Sequence, residues 1–498
     1  MGDPLFLESD MNGAEDALDG ERQRVLAILK RHGRAASSFQ LLEQDYTYWF
    51  LSHDDHNESV VAYVSTRRFM VVAGGPVGPV ERLKDTLETF ADFCRSQDRH
   101  VLVVGLEPWQ IEGISPDVKR FEVFKIGEQP EWDTEHYHVQ GPDKKSLRAQ
   151  INRAKNKGVS VRRVDGDELA QSPGSLRLAI DHILNRWLRS RRLAVLHFMV
   201  NLEPFTLREY RRYYVAVHNE TPVGFLAAIP VFQRNGWFFE DVIRVPEAPN
   251  GTSELLIHHA IEDARENQEN FVTLGLSPLT GIESGPGDHR MLRWGLRQSA
   301  RRLSGLYGFQ GLRAFKARMG PDAWVSQYAL RSASASNMGT AWALFDVFSR
   351  GSAWSFLYDS FRRLLNRVNP RVWAMLLVVQ LAALLPWTIL LAMADGRRWF
   401  GDQSIQAAWV TFDALLFVAL AGLAILLWRN HRASRRMSMF LAGATLTDLI
   451  LSTTQAVKLH GHLSGWAVLF VTLGVLGPAV ATFFLWCIAI GTPPVERS

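Results

Sequence analysis

Cysteine is nearly absent. Cys94 and Cys487 are the only two in 498 residues. One falls in a predicted soluble helix and the other in a long apolar run. A disulfide framework is therefore excluded as an organising device, and a reducing compartment is expected. A cysteine-based zinc site lacks ligands, and no metal site is expected. The opening stretch, MGDPLFLESDMNGAEDALDGERQRV, has neither a basic n-region nor an apolar core, so no secretory signal is expected. Met1-Gly2 would suit myristoylation, but Phe6 stands where Ser or Thr is wanted. Charge of one sign is not in large excess either. Against 51 Asp and Glu stand 55 Lys and Arg, giving +4 and a pI near 9.0. So mild a basic bias suits anionic lipid or nucleic acid without requiring either.

Apolar residues make up 47% of the chain and charged residues 21%, and the length suffices for two or three domains. Mean hydropathy is −0.06, and the apolar excess concentrates after residue 371. Four apolar segments follow, at 372–394, 407–428, 438–457 and 465–490, each near the roughly 20 residues that cross a bilayer. The third is the weakest, carrying Thr445, Thr447, Asp448 and Gln455. Asp448 is either functional or simply turned toward a helical bundle. Arg362, Arg363, Arg367 and Arg371 precede the first segment, and Arg429, Arg432, Arg435 and Arg436 separate the second from the third. If all four segments cross, both basic loops lie on one side, and the positive-inside rule makes that side cytoplasmic. Residues 341 to 368 interleave aromatic and basic residues, which suits either a helix in the membrane interface or an ordinary packing helix.

Upstream the pattern is α/β. Residues 1–19 are expected to be disordered. Two alternating strands between Tyr46 and Ala73 flank the turn His53-Asp-Asp-His-Asn-Glu58, a polar hairpin tip rather than a set of metal ligands. An amphipathic helix at 81–97 and a buried strand from Val101 to Leu106 follow. The order resembles a GCN5-related N-acetyltransferase-like lobe, with the basic helix Lys144 to Lys157 closing it. The same order recurs after Pro173, with strands at 212–217, 223–233, 236–245 and 271–276 and a helix at 252–267. The expected fold class is α/β: tandem GCN5-related N-acetyltransferase-like lobes followed by a C-terminal transmembrane helical region. The expected divisions are a first lobe at 20–165, a second, catalytic lobe at 166–331, a linker and interfacial helix at 332–370, and a four-helix membrane region at 371–498.

The stretch from 237 to 316 carries the chemistry. Trp237-Phe-Phe-Glu-Asp-Val-Ile-Arg244 is an apolar strand ending in two carboxylates and an arginine. A carboxylate there can take a proton from an attacking hydroxyl, and an arginine can hold a phosphate or an oxyanion. Strand alternation puts Glu240 and Asp241 on opposite faces. Asp241 and Arg244, three apart, need a bend or bulge to face one pocket. A structural Asp–Arg pair is the competing reading. Asn250-Gly-Thr-Ser-Glu254 is a turn opening a helix, where one glycine remains of a phosphate-cradling nest. Thr252 or Ser253 as a plain N-cap is the alternative. Leu274-Gly-Leu-Ser-Pro-Leu279 ends a strand in small residues, and Tyr307-Gly-Phe through Phe315-Lys316 brings a lysine after an aromatic cluster, with Arg313 nearby. Lys144, Lys145, Arg148, Arg153, Lys155 and Lys157 crowd one short helix. It can track a phosphate backbone or be merely solvated.

In order and spacing these motifs resemble the C-terminal catalytic domain of the aminoacyl-phosphatidylglycerol synthases, the lysyl- and alanyl-transferring family that includes the multiple peptide resistance factor. Asp241-Val-Ile-Arg244 matches an Asp-Leu-Met-Arg-like run. The 274–279 strand end, the 307–316 run, Lys125-Ile-Gly-Glu128, Gly74-Gly-Pro-Val-Gly-Pro79 and Phe198-Met-Val200 match in turn. The resemblance covers about Leu41 to Tyr328. It implies a membrane-anchored aminoacyltransferase that moves an aminoacyl ester from tRNA to a hydroxyl of a polar lipid such as phosphatidylglycerol. It implies no cofactor, and a catalytic domain on the cytoplasmic face of a bacterial inner membrane. It implies Asp241 as base, with Arg244 and Lys316 on a lipid phosphate or oxyanion. Glu240 or Glu254 would hold the donor's amino group, with Ser253, Tyr307 and Arg313 in substrate binding. Lys144, Lys145, Arg148, Arg153 and Lys155 would lie on tRNA. The architecture departs from the family: here the soluble domain precedes the spans, which puts a lipid-flipping role in doubt. An acyl-CoA-dependent acyltransferase and a non-catalytic membrane adaptor are the rival readings.

Overall fold

The computed structural model describes residues 20–43, 46–52, 58–170, 175–190, 204–278, 280, 309–349, 358, 361–362, 364–366, 368–400, 402–459 and 465–491. Expectations for residues 1–19, most of the His53–Glu58 turn, Phe198-Met-Val200 and Tyr307 lie outside them. The chain divides near residue 356 into an α/β unit and a helical unit.

The α/β unit opens with helix α1 (Gly20–His32), a 3-10 segment (Ala36–Leu42) and strands β1 (Thr47–Ser52), β2 (Glu58–Ser65) and β3 (Phe69–Ala73). Helix α2 (Leu83–Ser96), strand β4 (His100–Leu106), helix α3 (Pro108–Ile114) and the long strand β5 (Phe121–Asp133) complete the first half. These strands are apolar at consecutive positions because both faces are covered. Val60, Ala62, Val71, Leu102 and Val104 point into a core shared with Val25, Ile28 and Leu29 of α1. Their neighbours Val61, Tyr63, Met70, Val72, Val101 and Val103 point into a second core under Leu87, Phe90 and Cys94 of α2. The period of two along each strand thus sorts side chains between two cores.

The second half runs through α4 (Lys145–Asn156), β6 (Val159–Val164), α5 (Gly166–Ala170) and α6 (Ser175–Ser190) to β7 (Arg212–His218), β8 (Thr221–Val231) and β9 (Gly236–Arg244). Helix α7 (Thr252–Glu266), β10 (Phe271–Thr273), the two-residue β11 (Ser277–Pro278), α8 (Phe309–Arg318) and β12 (Ala323–Ser332) follow. The duplication expected from the sequence is present. In each half an antiparallel three-stranded meander, β1-β2-β3 or β7-β8-β9, leads through one helix to a parallel neighbour, β4 or β10. The halves then exchange their last strands. β12 lies between β4 and β5, while β5 pairs on its other edge with β10. One continuous sheet results, in the order β1-β2-β3-β4-β12-β5-β10-β9-β8-β7-β6.

Two expected boundaries move. The basic helix, α4, does not close the first lobe at residue 165. Its buried face, Leu147, Ile151 and Ala154, sits in the second half's core beside Leu256 and Ala260 of α7, and β6 pairs with β7. The first lobe's own chain therefore ends with β5. The segment after residue 332, expected as a linker, is docked. Ser336 caps helix α9 (Asn337–Phe348), which buries Ala343 and Val347 against the first core. For these residues the packing reading holds.

The helical unit contains α10 (Pro370–Met393), α11 (Gly396–Phe400), α12 (Gln403–Trp428), α13 (Ala433–Leu459) and α14 (Trp466–Gly491). α10, α12, α13 and α14 are long and apolar enough to cross a membrane, at the places the four apolar segments predict. Their hydrophobicity runs all round each helix, with Leu377, Leu420, Leu423 and Leu485 buried at the centre and other apolar side chains left outside.

The docking of α9 rests on one buried cation. Arg331 donates to Glu122 at 2.6 and 2.9 Å, to Asn337 at 2.6 Å and to Thr340 at 2.9 Å. Arg331→Met should lower stability by about 3 kcal/mol, because it strands Glu122 and two side-chain acceptors. Chemical denaturation reads this, and an unchanged midpoint would show that the network contributes nothing net.

Candidate functional site

β9 holds the two carboxylates and ends in the arginine. Ala228 of β8 pairs with Phe239, and the next residue, Ala227, pairs with Asp241, so Glu240 is the extra residue of a β-bulge. From Asp241 to Arg244 the pairing is regular. The irregularity that could turn both side chains into one pocket therefore lies before the pair rather than within it, and the two point to opposite faces. Arg244 braces the following turn instead. Its Nη1 donates to the carbonyls of Val245 and Ala248, both at 3.3 Å. Among the described residues Asp241 and Arg244 form no ion pair, so the structural-pair reading fails as well.

The ion pair that does exist joins Glu240 to Arg211, at 2.6 Å, with both side chains almost fully buried. Gln40, from the 3-10 segment of the first half, donates to the other Glu240 oxygen at 2.7 Å. Arg211 also donates to the Thr206 carbonyl at 2.8 Å. Each Glu240 oxygen thus has a protein donor, and the residue links the two halves. Neither Arg211 nor Gln40 stood out in the sequence. An arginine opening an apolar strand is a signal that could have flagged Arg211.

Asp241 has a different environment. It is only 7% exposed, and its Oδ2 has no hydrogen-bond partner among the described residues. Burial raises its pKa well above the ordinary carboxylate range. Glu240 adds to the rise and Arg211 opposes it. A buried carboxyl with an unused oxygen is suited to exchanging a proton with a bound hydroxyl.

β9 and β10 are parallel neighbours, and β10 stops where Thr273 pairs with Phe238, so Asp241 lies on β9 beyond the end of β10, on the side where ligands of α/β sheets gather. Lys316 of α8 reaches this side from beneath. Its Nζ donates to the carbonyls of Leu274, Gly275 and Leu276 at 2.8, 2.9 and 3.0 Å. All three ammonium protons are engaged, so Lys316 shapes the strand end and is not available to a phosphate in this conformation. Gly275, at φ +67°, fits because a Cβ there would meet the Phe238 ring at 2.5 Å. Arg313 stacks over Trp324 at 4.9 Å and approaches Glu128 at 3.3 Å, and Glu128 also accepts from Lys125 at 2.9 Å.

The turn into α7 is not a phosphate nest. Gly251 has φ +97°, and a Cβ on it would lie 2.0 Å from the carbonyl oxygen of Gln150 in α4. The missing side chain lets α4 pack there. Thr252 donates back to the Pro249 carbonyl at 2.7 Å instead of capping the helix, and Ser253 is half-buried beside it. Glu254 is buried, and its nearest described cation, Arg318, stands 4.0 Å away. On α4, Lys144 bonds the Gly320 carbonyl, and Arg148 bonds those of Val139 and Gly141. Lys145, Arg153 and Lys155 are not tied down in this way and lie at the surface. The predicted tRNA-binding set therefore splits into two internal ties and three surface cations. A cavity of about 580 Å³ opens elsewhere, among Arg34, Trp109, Arg234 and Phe271, where β9 and β10 begin rather than where they end.

Comparison with known proteins bears on this geometry. The family profile described as phosphatidylglycerol lysyltransferase, C-terminal, matches residues 26–331. Phosphatidylglycerol lysyltransferase of Bacillus subtilis (strain 168) is 25% identical over 311 residues, covering 61% of this chain and 34% of that protein. The enzyme of the same name from Staphylococcus epidermidis (strain ATCC 35984) is 22% identical over 310 residues, again 61% and 34%. The chain thus spans about a third of the length of these curated relatives. Two solved structures share the fold. A C-terminal domain from Agrobacterium fabrum, described as that of a putative lysylphosphatidylglycerol synthetase, gives a TM-score of 0.55 at 19% identity, covering 67% of this chain and 98% of that one. The L-PGS of Bacillus licheniformis gives 0.51 at 18% identity, covering 68% and 99%.

Lys316 generates a test of its own. Burial pulls its pKa down from 10.5 to about 7. The three carbonyls favour the ammonium and oppose that shift. With the folded pKa below the unfolded one, unfolding takes up a proton between pH 7 and about 10.4, and stability rises with pH across that window. Denaturation at several pH values should show this rise in the wild type and a shallower one in Lys316→Met. Parallel slopes would mean that the carbonyls hold the ammonium charged throughout.

Proposed function

The chain belongs to the phosphatidylglycerol lysyltransferase C-terminal family, and from that premise we propose that its α/β unit moves an aminoacyl group from aminoacyl-tRNA to a hydroxyl of a membrane phospholipid, phosphatidylglycerol by kinship. The observation that carries this reading is the oxygen of buried Asp241 that has no partner among the described residues, on β9 just beyond the end of β10. The lipid hydroxyl donates its proton to Asp241 while its oxygen attacks the ester carbonyl carbon. The tetrahedral intermediate then collapses, and the tRNA ribose oxygen leaves with the proton that Asp241 returns. One ester bond forms and one breaks, so the exchange needs no energy input, and the work is positioning and proton transfer.

The remaining groups take roles that fit their contacts. Arg211 and Gln40 fix Glu240 next to Asp241. Glu254 receives the donor's ammonium, since no described cation lies closer than Arg318 at 4.0 Å. Arg313 faces the lipid phosphate with the donors its internal contacts leave over, Arg244 holds the turn after β9 from the opposite face, and Tyr307 stays in substrate binding by kinship alone. Lys316 is a positioning residue for the 274–276 backbone. Lys145, Arg153 and Lys155 meet the tRNA backbone. An acyl-CoA donor fits less well, because Gly251 is the one glycine in the Asn250–Glu254 turn where a glycine-rich pyrophosphate nest would lie. The long apolar helices hold the enzyme at its lipid substrate. The arginines flanking them, Arg362 with Arg371 and Arg429 with Arg436, support by the positive-inside rule an α/β unit on the cytoplasmic side of a bacterial inner membrane, where charged tRNA is available.

Asp241→Asn should lower kcat by about 10²–10⁴-fold with little loss of stability. In the wild type, kcat should rise with pH through a limb lying above the ordinary carboxylate range, because the base works only once deprotonated and its pKa is raised. Full aminoacyl-lipid production by a folded Asn variant, read by lipid mass spectrometry, would remove Asp241 from the mechanism.

Replacing Lys145, Arg153 and Lys155 together with Ala should raise KM for charged tRNA. It should also flatten the dependence of log affinity on log salt by about 0.7–0.9 for every phosphate that the variant no longer neutralises. An unchanged slope would make these three solvated surface charges.

A further inference from the structure

The helical unit contains one polar feature that the transfer reaction does not use. Asp413 on α12 and Asp448 on α13 are 4% and 7% exposed in a largely apolar bundle. Asp448 accepts from the Ser452 hydroxyl at 3.0 Å. Asp413 has a side-chain hydrogen bond with Thr388, while its Oδ2 is buried and has no hydrogen-bond partner among the described residues. Both carboxyls line a cavity of about 70 Å³. One wall of that cavity is aromatic, with Trp387 and Trp399 each 5.0 Å, centroid to centroid, from Phe470. Gln455 donates to the Trp399 carbonyl at 2.7 Å and so ties this wall to α13.

We propose that this cavity binds a primary ammonium group, R–NH3⁺, between the two aspartates and the aromatic wall. Two carboxyls enclosed in a membrane bundle need a positive charge or protons to be tolerated. An ammonium is compact, offers three donors for the free Asp413 oxygen and its neighbours, and is attracted by the faces of indole and phenyl rings. A hard metal ion prefers an oxygen shell on every side, which an aromatic wall does not provide. A cavity of about 70 Å³ admits the end of a headgroup and not a whole lipid. The ammonium has two sources: the aminoacyl headgroup of a modified lipid, or a free amine. The first rests on the function proposed above.

The test uses the full chain in nanodiscs of neutral lipid, titrated by calorimetry. The probes are short-chain lysyl-phosphatidylglycerol made by synthesis, unmodified short-chain phosphatidylglycerol, lysine methyl ester and sodium chloride. Because the aminoacyl lipid is supplied ready-made, the outcome does not depend on whether this chain synthesises it. A separate aminoacylation assay judges that reading. An ammonium-bearing probe should bind, and unmodified phosphatidylglycerol should not compete with it. Asp413→Asn and Asp448→Asn should each weaken binding by about tenfold or more, as for the loss of a hydrogen bond to a charged partner. Binding of both lipid and ester assigns the site to amines in general, and binding of the lipid alone assigns it to the headgroup. The discrimination between modified and unmodified lipid needs no variant, so it stands even where a substitution unfolds the bundle. Equal affinity for the two lipids, saturable sodium binding in place of amine binding, or wild-type affinity in both folded Asn variants would overturn the proposal.

Discussion

The reciprocal exchange of β5 and β12 is the constraint on which the rest of the α/β unit depends. Each half builds a three-stranded meander and one parallel crossover, then gives its last strand to the other half. The result is one sheet with no exposed edge at its centre, which removes two edges that separate lobes would have to protect. It also fixes the site. β5 aligns Glu128 against Ser277 through β11, and β10 pairs with the first part of β9 and stops opposite Phe238, so the segment of β9 carrying Asp241 is positioned by strands from both halves. The buried contact from Gln40 through Glu240 to Arg211 crosses the same seam.

Much of this was legible in the sequence. The consecutive apolar strands, the repeated order of elements and the four long apolar helices follow from hydrophobic period and length. The strand exchange was not, because nothing local in Ala323–Ser332 says that its partners lie near residues 102–106 and 121–131. Pairing partners are set by topology and not by composition. The placement of α4 was missed for a related reason. Its buried stripe, Leu147, Ile151 and Ala154, is visible in the sequence, but which core receives it is decided by the close approach at Gly251.

At the site, residue types were easier to read than partnerships. Asp241, Arg244, Glu240, Glu254 and Lys316 all lie at or near the edge where β9 and β10 end, yet their roles divide by which of them the protein has already satisfied. Lys316 gives all three ammonium donors to main-chain carbonyls and each Glu240 oxygen has an internal donor, whereas one Asp241 oxygen has no partner among the described residues. A one-residue bulge at Glu240 decides which carboxylate meets Arg211 and which is left over, and strand alternation alone does not locate that bulge. The basic helix divides in the same way, since Lys144 and Arg148 reach main-chain carbonyls only after the chain has closed around them.

The exchanged strand also sets an order of events during synthesis. The first lobe's sheet is complete only when β12 is made, more than two hundred residues after β4, so that lobe waits with an open edge while the second is translated. Among the described residues α10 is the first helix long and apolar enough to cross a membrane, and it follows β12 in the chain. Any pause or truncation upstream of Ala323 leaves an unpaired strand edge exposed, a ready surface for aggregation and for chaperone capture.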